Sequence, residues 1–404
     1  ILSQACFISV LMIVRDATDK NKFMKIEARI NHAEINDDLL SIIVPVYNTE
    51  NYLLDTLKSL ERCDCNLYEV VIVNDGSTDG SAKKIENWLN STKIRATYIS
   101  QENSGLSLAR KAGIQNSSGS HIAFCDSDDI LDIESLLLTL SLMIRNDVDM
   151  GIFRSCVFSN ASGLSHDFYD AEIWCKILEG KNHIITTHLQ EPRLFRLEPN
   201  ANTRIFKREF FESKKLYFPA GIHFEDLSTH IESIAAAKSI LCINRTGYYY
   251  RVDRPGKITD QKSEKRFDIL KAAAISLDKI KESSMSIEGK AWALLLLSRM
   301  IYWCGENTLN KDRLRFFKDA CALISQRVEA PVISLATKNF GTLREAALLM
   351  ALSAGASSFL NKHASKKSHS ITDVMPFISP RIDVRTKARV LKAVVKQKLN
   401  NLLY

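Results

Sequence analysis

Four strand-length stretches, residues 39–46 (LLSIIVPV), 69–73 (EVVIV), 95–100 (RATYIS) and 121–125 (HIAFC), alternate with helical patterns at 50–63, 81–90 and 107–116. Unbroken β-branched runs separated by helices describe a sheet buried on both faces, which means parallel strands joined by crossover helices. Asp75-Gly76-Ser77 and Ser118-Gly119-Ser120 supply turns at the joins. The fold class expected is therefore α/β, with a Rossmann-like, mostly parallel sheet. A further helix is expected at 133–146, then short strands, helices and aromatic loops over 150–262. From residue 266 the pattern is helical, with 291–303 (AWALLLLSRMIYW) the most apolar stretch, and continues through 313–328 and 342–361. Pro376 and Pro380 punctuate a linker before a last helix at 384–402. At 404 residues, two or three domains are expected. Their bounds are an N-terminal extension at 1–38, an α/β domain at 39–265, a helical domain at 266–361, and a basic linker with an amphipathic helix at 362–404.

No stretch reaches the roughly 18 apolar residues of a membrane-spanning helix, so 291–303 reads as a buried core helix. The nine cysteines include no C-x-x-C pair, and Cys63 and Cys65 are poorly spaced for zinc. Reduced thiols in the cytoplasm are the simplest reading. The chain begins with Ile1; Met24 is a candidate start, and the first 30 residues are assigned no function. Net charge is +7, yet residues 362–404 hold ten Lys/Arg against Asp373 and Asp383. The basic character thus belongs to the tail.

Ligands of parallel α/β sheets bind at the carboxyl ends of the strands. Polar clusters fall at three of those ends: Pro45-Val46-Tyr47-Asn48, Asn74-Asp75-Gly76-Ser77-Thr78-Asp79 and Asp126-Ser127-Asp128-Asp129. In extended backbone, Asp126 and Asp128 point the same way. Their mutual repulsion is relieved by a hard divalent cation, Mn²⁺ or Mg²⁺, which takes oxygen ligands and leaves room for phosphates. At 4 Å, opposite unit charges gain about 1 kcal/mol in water and about 4 kcal/mol at an effective dielectric near 20. A cation in a partly closed cleft can therefore stabilise a diphosphate leaving group. The other reading is that Asp128 or Asp129 caps a helix beginning at Ile130.

With Asn103-Ser104-Gly105-Leu106-Ser107-Leu108-Ala109-Arg110, these motifs occur in an order and spacing that closely resemble the family-2 glycosyltransferases of the GT-A fold. The resemblance is strong over residues 41–146 and looser to 267. It implies a GT-A catalytic domain acting on a nucleotide sugar, with a lean toward uridine. Pro45, Tyr47 and Glu50 match the loop beside the nucleoside, and Asp75 the carboxylate that reads the base. Asn103 and Arg110 match positions lining the donor pocket. Asp126 and Asp128 match the metal motif, Asp128 as the direct ligand. Against these roles, Pro45 could end a strand, Asp75 make an Asx turn and Arg110 lie on a solvated helix face.

Downstream, Gly221-Ile222-His223-Phe224-Glu225-Asp226 resembles the family's Glu-Asp element, which follows a short aromatic strand. Inverting transfer needs one base on the acceptor hydroxyl. Asp226 occupies that place, with Glu225 as fallback; an acidic cap on a helix at 227–237 would give the same dipeptide. His223 reads as a half-buried strand residue. Tyr248-Tyr249-Tyr250-Arg251 leads into Arg254-Pro255-Gly256-Lys257-Ile258-Thr259, similar to a loop that closes over the diphosphate, although Lys257 stands where the family commonly has Ser. Arg251, Arg254 and Lys257 suit phosphate oxygens, and a solvated basic turn is the alternative.

The expected function is inverting sugar transfer from a nucleotide-diphosphate sugar to a hydroxyl of a glycan or lipid-linked glycan, in capsule, O-antigen or exopolysaccharide assembly. No nucleic-acid partner is expected. Sugar-1-phosphate nucleotidyltransfer would call for a Gly-rich, Arg-bearing loop where Pro45-Val46-Tyr47-Asn48 stands. A catalytically inactive nucleotide-sugar-binding or scaffold protein would be expected to lose Asp126, Asp128 or Asp226, and all three are present.

In 384–402, Val384, Ala388, Leu391, Val395, Leu399 and Leu402 recur at helical steps among Arg385, Lys387, Arg389, Lys392, Lys396 and Lys398. Such a helix can lie in a lipid headgroup region, held by apolar burial and about 1 kcal/mol per basic residue near an anionic surface. That would place a cytoplasmic enzyme peripherally on the inner face of the membrane; docking on the protein's own helices is the other reading. The membrane reading predicts that the full chain sediments with anionic vesicles at low salt and is released at high salt. A chain ending at Pro380 should stay in the supernatant, and equal behaviour of the two removes this reading.

Overall fold

The computed structural model describes residues 8–15, 23–30, 40–61, 67–160, 165–252, 254, 263–339 and 349. The expected helices at 342–361 (apart from Leu349) and 384–402 lie outside them, as do Cys63, Cys65 and Lys257. The described residues fall into two units, one within Ile1–Thr187, Glu198–Gly221 and Ala236–Arg254, the other within His188–Leu197, Ile222–Ala235 and Pro255–Tyr404.

The first unit runs through β1 (Ile8–Arg15), β2 (Phe23–Ile30), β3 (Leu40–Val46), α1 (Glu50–Ser59), β4 (Tyr68–Asp75), α2 (Ser81–Ser91), β5 (Arg95–Gln101), α3 (Leu106–Gln115) and β6 (His121–Phe124). It continues with β7 (Ile130–Leu131), α4 (Ile133–Asn146), β8 (Met150–Phe158), β9 (Ser165–Asp167), α5 (Ala171–Leu178) and β10 (His183–Thr186). β11 (Arg204–Lys207) and α6 (Arg208–Ser213) follow, and after α7 (Asp226–Ala236) comes β12 (Ile240–Arg251). Among the described residues the strands form one sheet in the order β1-β2-β5-β4-β3-β6-β11-β8-β12-β10, with β7 on β12 and β9 on β8. Its centre, β5-β4-β3-β6, is parallel, as is the β8–β12 pair. The remaining pairings are antiparallel, including β1 and β2, which lie in the segment expected as an extension.

Every residue of β3 and β4 is buried, because both faces of the sheet are covered. Leu40, Ile42, Val44 and Val46 enter one core with Leu53 and Leu57 of α1, Ile85 and Trp88 of α2, and Leu136 and Leu140 of α4. Burying each such side chain contributes about 1.5–3 kcal/mol. On the opposite face, α3 packs against β3 and β4. Gly113 makes this close approach possible, since a Cβ there would stand 2.3 Å from Ile43 Cγ2.

The second unit is helical. α8 (Asp268–Glu282), α9 (Ile287–Glu306), α10 (Asn310–Arg327) and α11 (Ala330–Asn339) are joined by the short 3₁₀ turn Pro192–Arg196 and by most of α7. Ser286 caps α9 by accepting from Gly289 N–H at 3.1 Å. Ala291 and Ala293–Leu297 are wholly buried, as a core helix requires. No described helix is long and apolar enough to cross a membrane. Phe195, fully buried, lies against Gly289, and its carbonyl oxygen is 3.2 Å from His230 Nε2. Segments 188–197 and 222–235 thus belong with the helices, although they precede residue 265.

Gly113→Ala should force Ile43 to shift. An overpacked core of this kind loses about 1–3 kcal/mol. The expected outcome is a lower urea midpoint with an unchanged slope.

Candidate active site

Strand order places β4 on one side of β3 and β6 on the other, so the chain reverses direction of winding between β3 and β6. The crevice at such a switch point is where α/β sheets bind ligands. Here a proline opens it. The β3–β6 pairing ends at Ile43 and Phe124, and Cys125 N–H donates to Ile43 O at 3.0 Å. Pro45, two residues on, turns its backbone the same way and has no N–H to offer. The ladder stops, and residues 125–129 leave the sheet. Pro45 itself is buried within β3, so it shapes the crevice from below.

Three loops meet at this end and are bonded to one another. Asn48, with φ +51°, receives Thr78 N–H on its side-chain oxygen at 2.8 Å and gives its own N–H to Ser77 Oγ at 3.1 Å. Thr49 Oγ1 donates to Ser127 Oγ at 2.9 Å, joining the first loop to the acidic one. Glu50 N–H donates to Asp79 at 3.0 Å, while the Glu50 carboxylate accepts from Gly80 N–H at 2.9 Å at the start of α2. Slight burial tends to raise the Asp79 pKa, but the bonds from Ser81 and Glu50 outweigh it and the net direction is down. Glu50 therefore holds two helix starts together. Tyr47 is half exposed on the rim.

Asp75, buried at the end of β4, accepts from Gln101 Nε2 (2.6 Å), Ser104 N–H (2.9 Å) and Gly105 N–H (2.8 Å). A carboxylate has about four acceptor positions, so one remains. Asn103, exposed, donates to Asp75 O at 3.1 Å. Gly76, at φ +72°, lets Asn103 approach, since a Cβ there would lie 2.7 Å from Asn103 N.

The acidic loop sits among three guanidiniums. Arg110, on α3, is 1% exposed; it lies over the Phe218 ring at 4.8 Å and the Phe124 ring at 5.7 Å, with Nη2 3.4 Å from Asp126 Oδ1. Arg251 is fully buried between Tyr52 and Phe158; it donates from Nε to Asp128 O at 2.7 Å and reaches Asp55 at 3.2 Å. The structure thus encloses Arg251 beneath the loop and does not bring it to an open phosphate position. Arg254 Nε lies 2.6 Å from Asp128 Oδ2.

Asp129 is the buried anchor. It accepts from Tyr248 OH and from Arg251 N–H at 2.8 Å, and Asn202 Nδ2 donates to Tyr248 OH at 2.9 Å. Burial, then the charges of Asp128 and Asp126, push its carboxyl well above the usual range, against the pull of these donors. The cap expected at Asp128 or Asp129 falls instead on Asp132, which accepts from Glu134 N–H at 3.1 Å. β7 occupies 130–131, so α4 cannot begin there. Thr49, Asn202 and Phe218 carry no polar-motif signal of their own, and only their partners in space reveal their part; Tyr248 stands out only as the start of the run leading to Arg251.

Glu225 and Asp226 belong to the second unit. α7 begins at Asp226, which is partly exposed, whereas Glu225 is buried. The aromatic strand expected before them is absent: residues 214–225 contain no strand, because Lys215, Gly221 and Phe224 have φ of +53°, +74° and +66°. For Phe224 this is a true outlier. His223 lies in this turn, with Nδ1 2.9 Å from Asp268 Oδ2.

Among the described residues no three acidic, His or Cys side chains converge as a metal cage. Asp126 and Asp128 do fit an ion that takes one or two carboxylates and completes its shell with phosphates and water.

The profile of Glycosyl transferase family 2 matches residues 41–199. Over that segment the chain is similar to the family-2 glycosyltransferases. Over 234 residues the chain is 31% identical to glycosyltransferase GlyA of Streptococcus pneumoniae, covering 57% of this chain and 32% of GlyA. It is 28% identical over 223 residues to the uncharacterized glycosyltransferase EpsJ of Bacillus subtilis, 55% of this chain and 63% of EpsJ. The chain therefore spans from about a third to under two thirds of these relatives' lengths. Poly(ribitol-phosphate) beta-N-acetylglucosaminyltransferase TarS of Staphylococcus aureus is 24% identical over 225 residues, 54% of this chain and 36% of TarS. The crystal structure of TarS 1-349 in complex with UDP-GlcNAc superposes with a TM-score of 0.66 at 18% identity, over 85% of this chain and 94% of that one. The likeness fixes the fold as GT-A, with a helical C-terminal region.

Tyr248→Phe removes the hydroxyl between Asp129 and Asn202 while keeping the ring. Leaving buried polar groups short of a partner costs about 1–3 kcal/mol. A urea midpoint lowered to that extent is the expected outcome, and no change would show that Asp129 is held without Tyr248.

Proposed function

We propose that this chain is an inverting, metal-assisted glycosyltransferase that moves a sugar from a UDP-linked donor to a hydroxyl of a glycan or lipid-linked glycan in cell-surface polysaccharide synthesis. The observation that carries this reading is the bonded set of three loops at the switch point, with Asp126 and Asp128 held apart from any capping role. The crystallised complexes of TarS with UDP and with UDP-GlcNAc support a uridine donor.

Tyr47 on the rim and the remaining acceptor position of Asp75 suit the nucleoside, with Asn103 beside them. Pro45, Glu50, Arg110 and Arg251 act through what they hold: the crevice, the helix starts, the Asp126 carboxylate and the Asp128 backbone. Asp126 and Asp128 would hold Mn²⁺ or Mg²⁺, which would offset charge growing on the leaving diphosphate. Arg254 adds a guanidinium suited to phosphate oxygens.

In the transfer, the acceptor oxygen bonds to the anomeric carbon from the face opposite the diphosphate, and the carbon–phosphate-oxygen bond breaks. Asp226 takes the hydroxyl proton. It opens the first turn of α7. Its partial exposure, against the burial of Glu225, favours Asp226 for that role. A peripheral membrane contact through the basic tail would suit a lipid-linked acceptor.

Two substitutions separate the roles. Asp128→Ala should abolish transfer and also weaken metal-dependent UDP-sugar binding. Asp226→Asn should lower turnover by roughly 10²- to 10⁴-fold while leaving donor affinity unchanged, because a base acts on the acceptor. Turnover compared with calorimetric donor binding checks both, and an active Asp226→Asn beside a dead Glu225→Gln would transfer the role to Glu225.

A further inference from the structure

Three guanidinium–carboxylate pairs surround the acidic loop: Arg110 with Asp126, Arg251 with Asp55, and Arg254 with Asp128. Two of the cations are fixed. Arg110 and Arg251 are 1% and 0% exposed, and each lies over two aromatic rings. Arg254 keeps 19% of its side chain exposed, and its Nε, though 2.6 Å from Asp128, makes no aligned hydrogen bond there. Charge alone joins that pair, so it can exchange without breaking a directional bond.

The three pairs also match in charge before any ion arrives. A divalent cation would bring two uncompensated positive charges to Asp126 and Asp128, which are already paired, and a nucleoside diphosphate brings at least two negative ones. We propose that Arg254 is the resident counter-ion of Asp128 and yields this carboxylate to the divalent cation when a nucleoside diphosphate takes up its guanidinium. Arg254 thereby couples cation binding to nucleotide binding: the ion alone meets an occupied ligand, and the nucleotide frees it. This rests on the metal reading given above.

The test follows free Mn²⁺ by electron paramagnetic resonance, in titrations of the full chain with and without UDP. In the unsubstituted protein UDP should strengthen Mn²⁺ retention. Arg254→Ala should hold Mn²⁺ alone about tenfold more tightly, within the ordinary range of coupling between two ligands, and its enhancement by UDP should shrink by the same factor. Arg254→Lys, which keeps the charge, should stay near the unsubstituted protein on both counts. Asp128→Asn should lose the ion with and without UDP. If Arg254→Ala retains Mn²⁺ no better than the unsubstituted protein while Asp128→Asn loses it, the counter-ion role is overturned and the metal reading stands. If the unsubstituted protein retains no Mn²⁺ even with UDP, both are overturned.

Discussion

The site depends on one missing hydrogen. Between β3 and β6 the ladder runs to Ile43 and Phe124 and ends where Pro45 has no N–H to offer. On its other side β3 continues in register with β4 as far as Val46 and Asn74. The strand thus remains anchored on one edge while its other neighbour departs. A buried, rigid strand carries the loop of Tyr47 and Asn48, and the departing chain supplies Asp126 to Asp129. Both positions are set by the sheet, which gives a precision that a loop without such anchorage would lack.

Beneath the acidic loop, buried charge is used for position. Arg251 donates to the Asp128 carbonyl and, through its own N–H, to Asp129, so one residue fixes two members of the motif. Tyr248, three residues earlier on the same strand, holds the other Asp129 oxygen. Removing one partner from such a buried set is costly, because the remaining charge or dipole is left without water. The arrangement explains why neighbours on β12 matter to a loop more than 100 residues away in sequence.

Much of this was legible in the sequence, because it depends on local pattern. β3, β4, β5 and β6 and their helices overlap the expected stretches, with β4 running from one residue before to two residues beyond its own, since apolar runs and helical periodicity report burial directly. The polar clusters at the strand ends were legible for the same reason. What escaped depends on pairing in space. Nothing local distinguishes Arg251, enclosed by Tyr52 and Phe158, from Arg254, which is partly exposed three residues later. The resemblance implied a short aromatic strand around His223, but positive φ at Gly221 and Phe224 turns the chain away from one. The cap went to Asp132 because β7 binds β12 at Tyr248 and Tyr249, a contact visible only in the fold.

The division into two units is not a division of the chain. Between Thr187 and Pro255 the polypeptide passes from one unit to the other five times, contributing 188–197 and 222–235 to the helical unit before β12 is made. On the ribosome, then, the last long strand of the sheet emerges after two pieces of the helical unit are already outside, with α9 still to be synthesised. Phe195 must wait for the Gly289 turn that it finally rests against. A fragment ending near residue 254 would keep every described strand and still carry an unsheltered aromatic side chain, a natural target for chaperones and proteases.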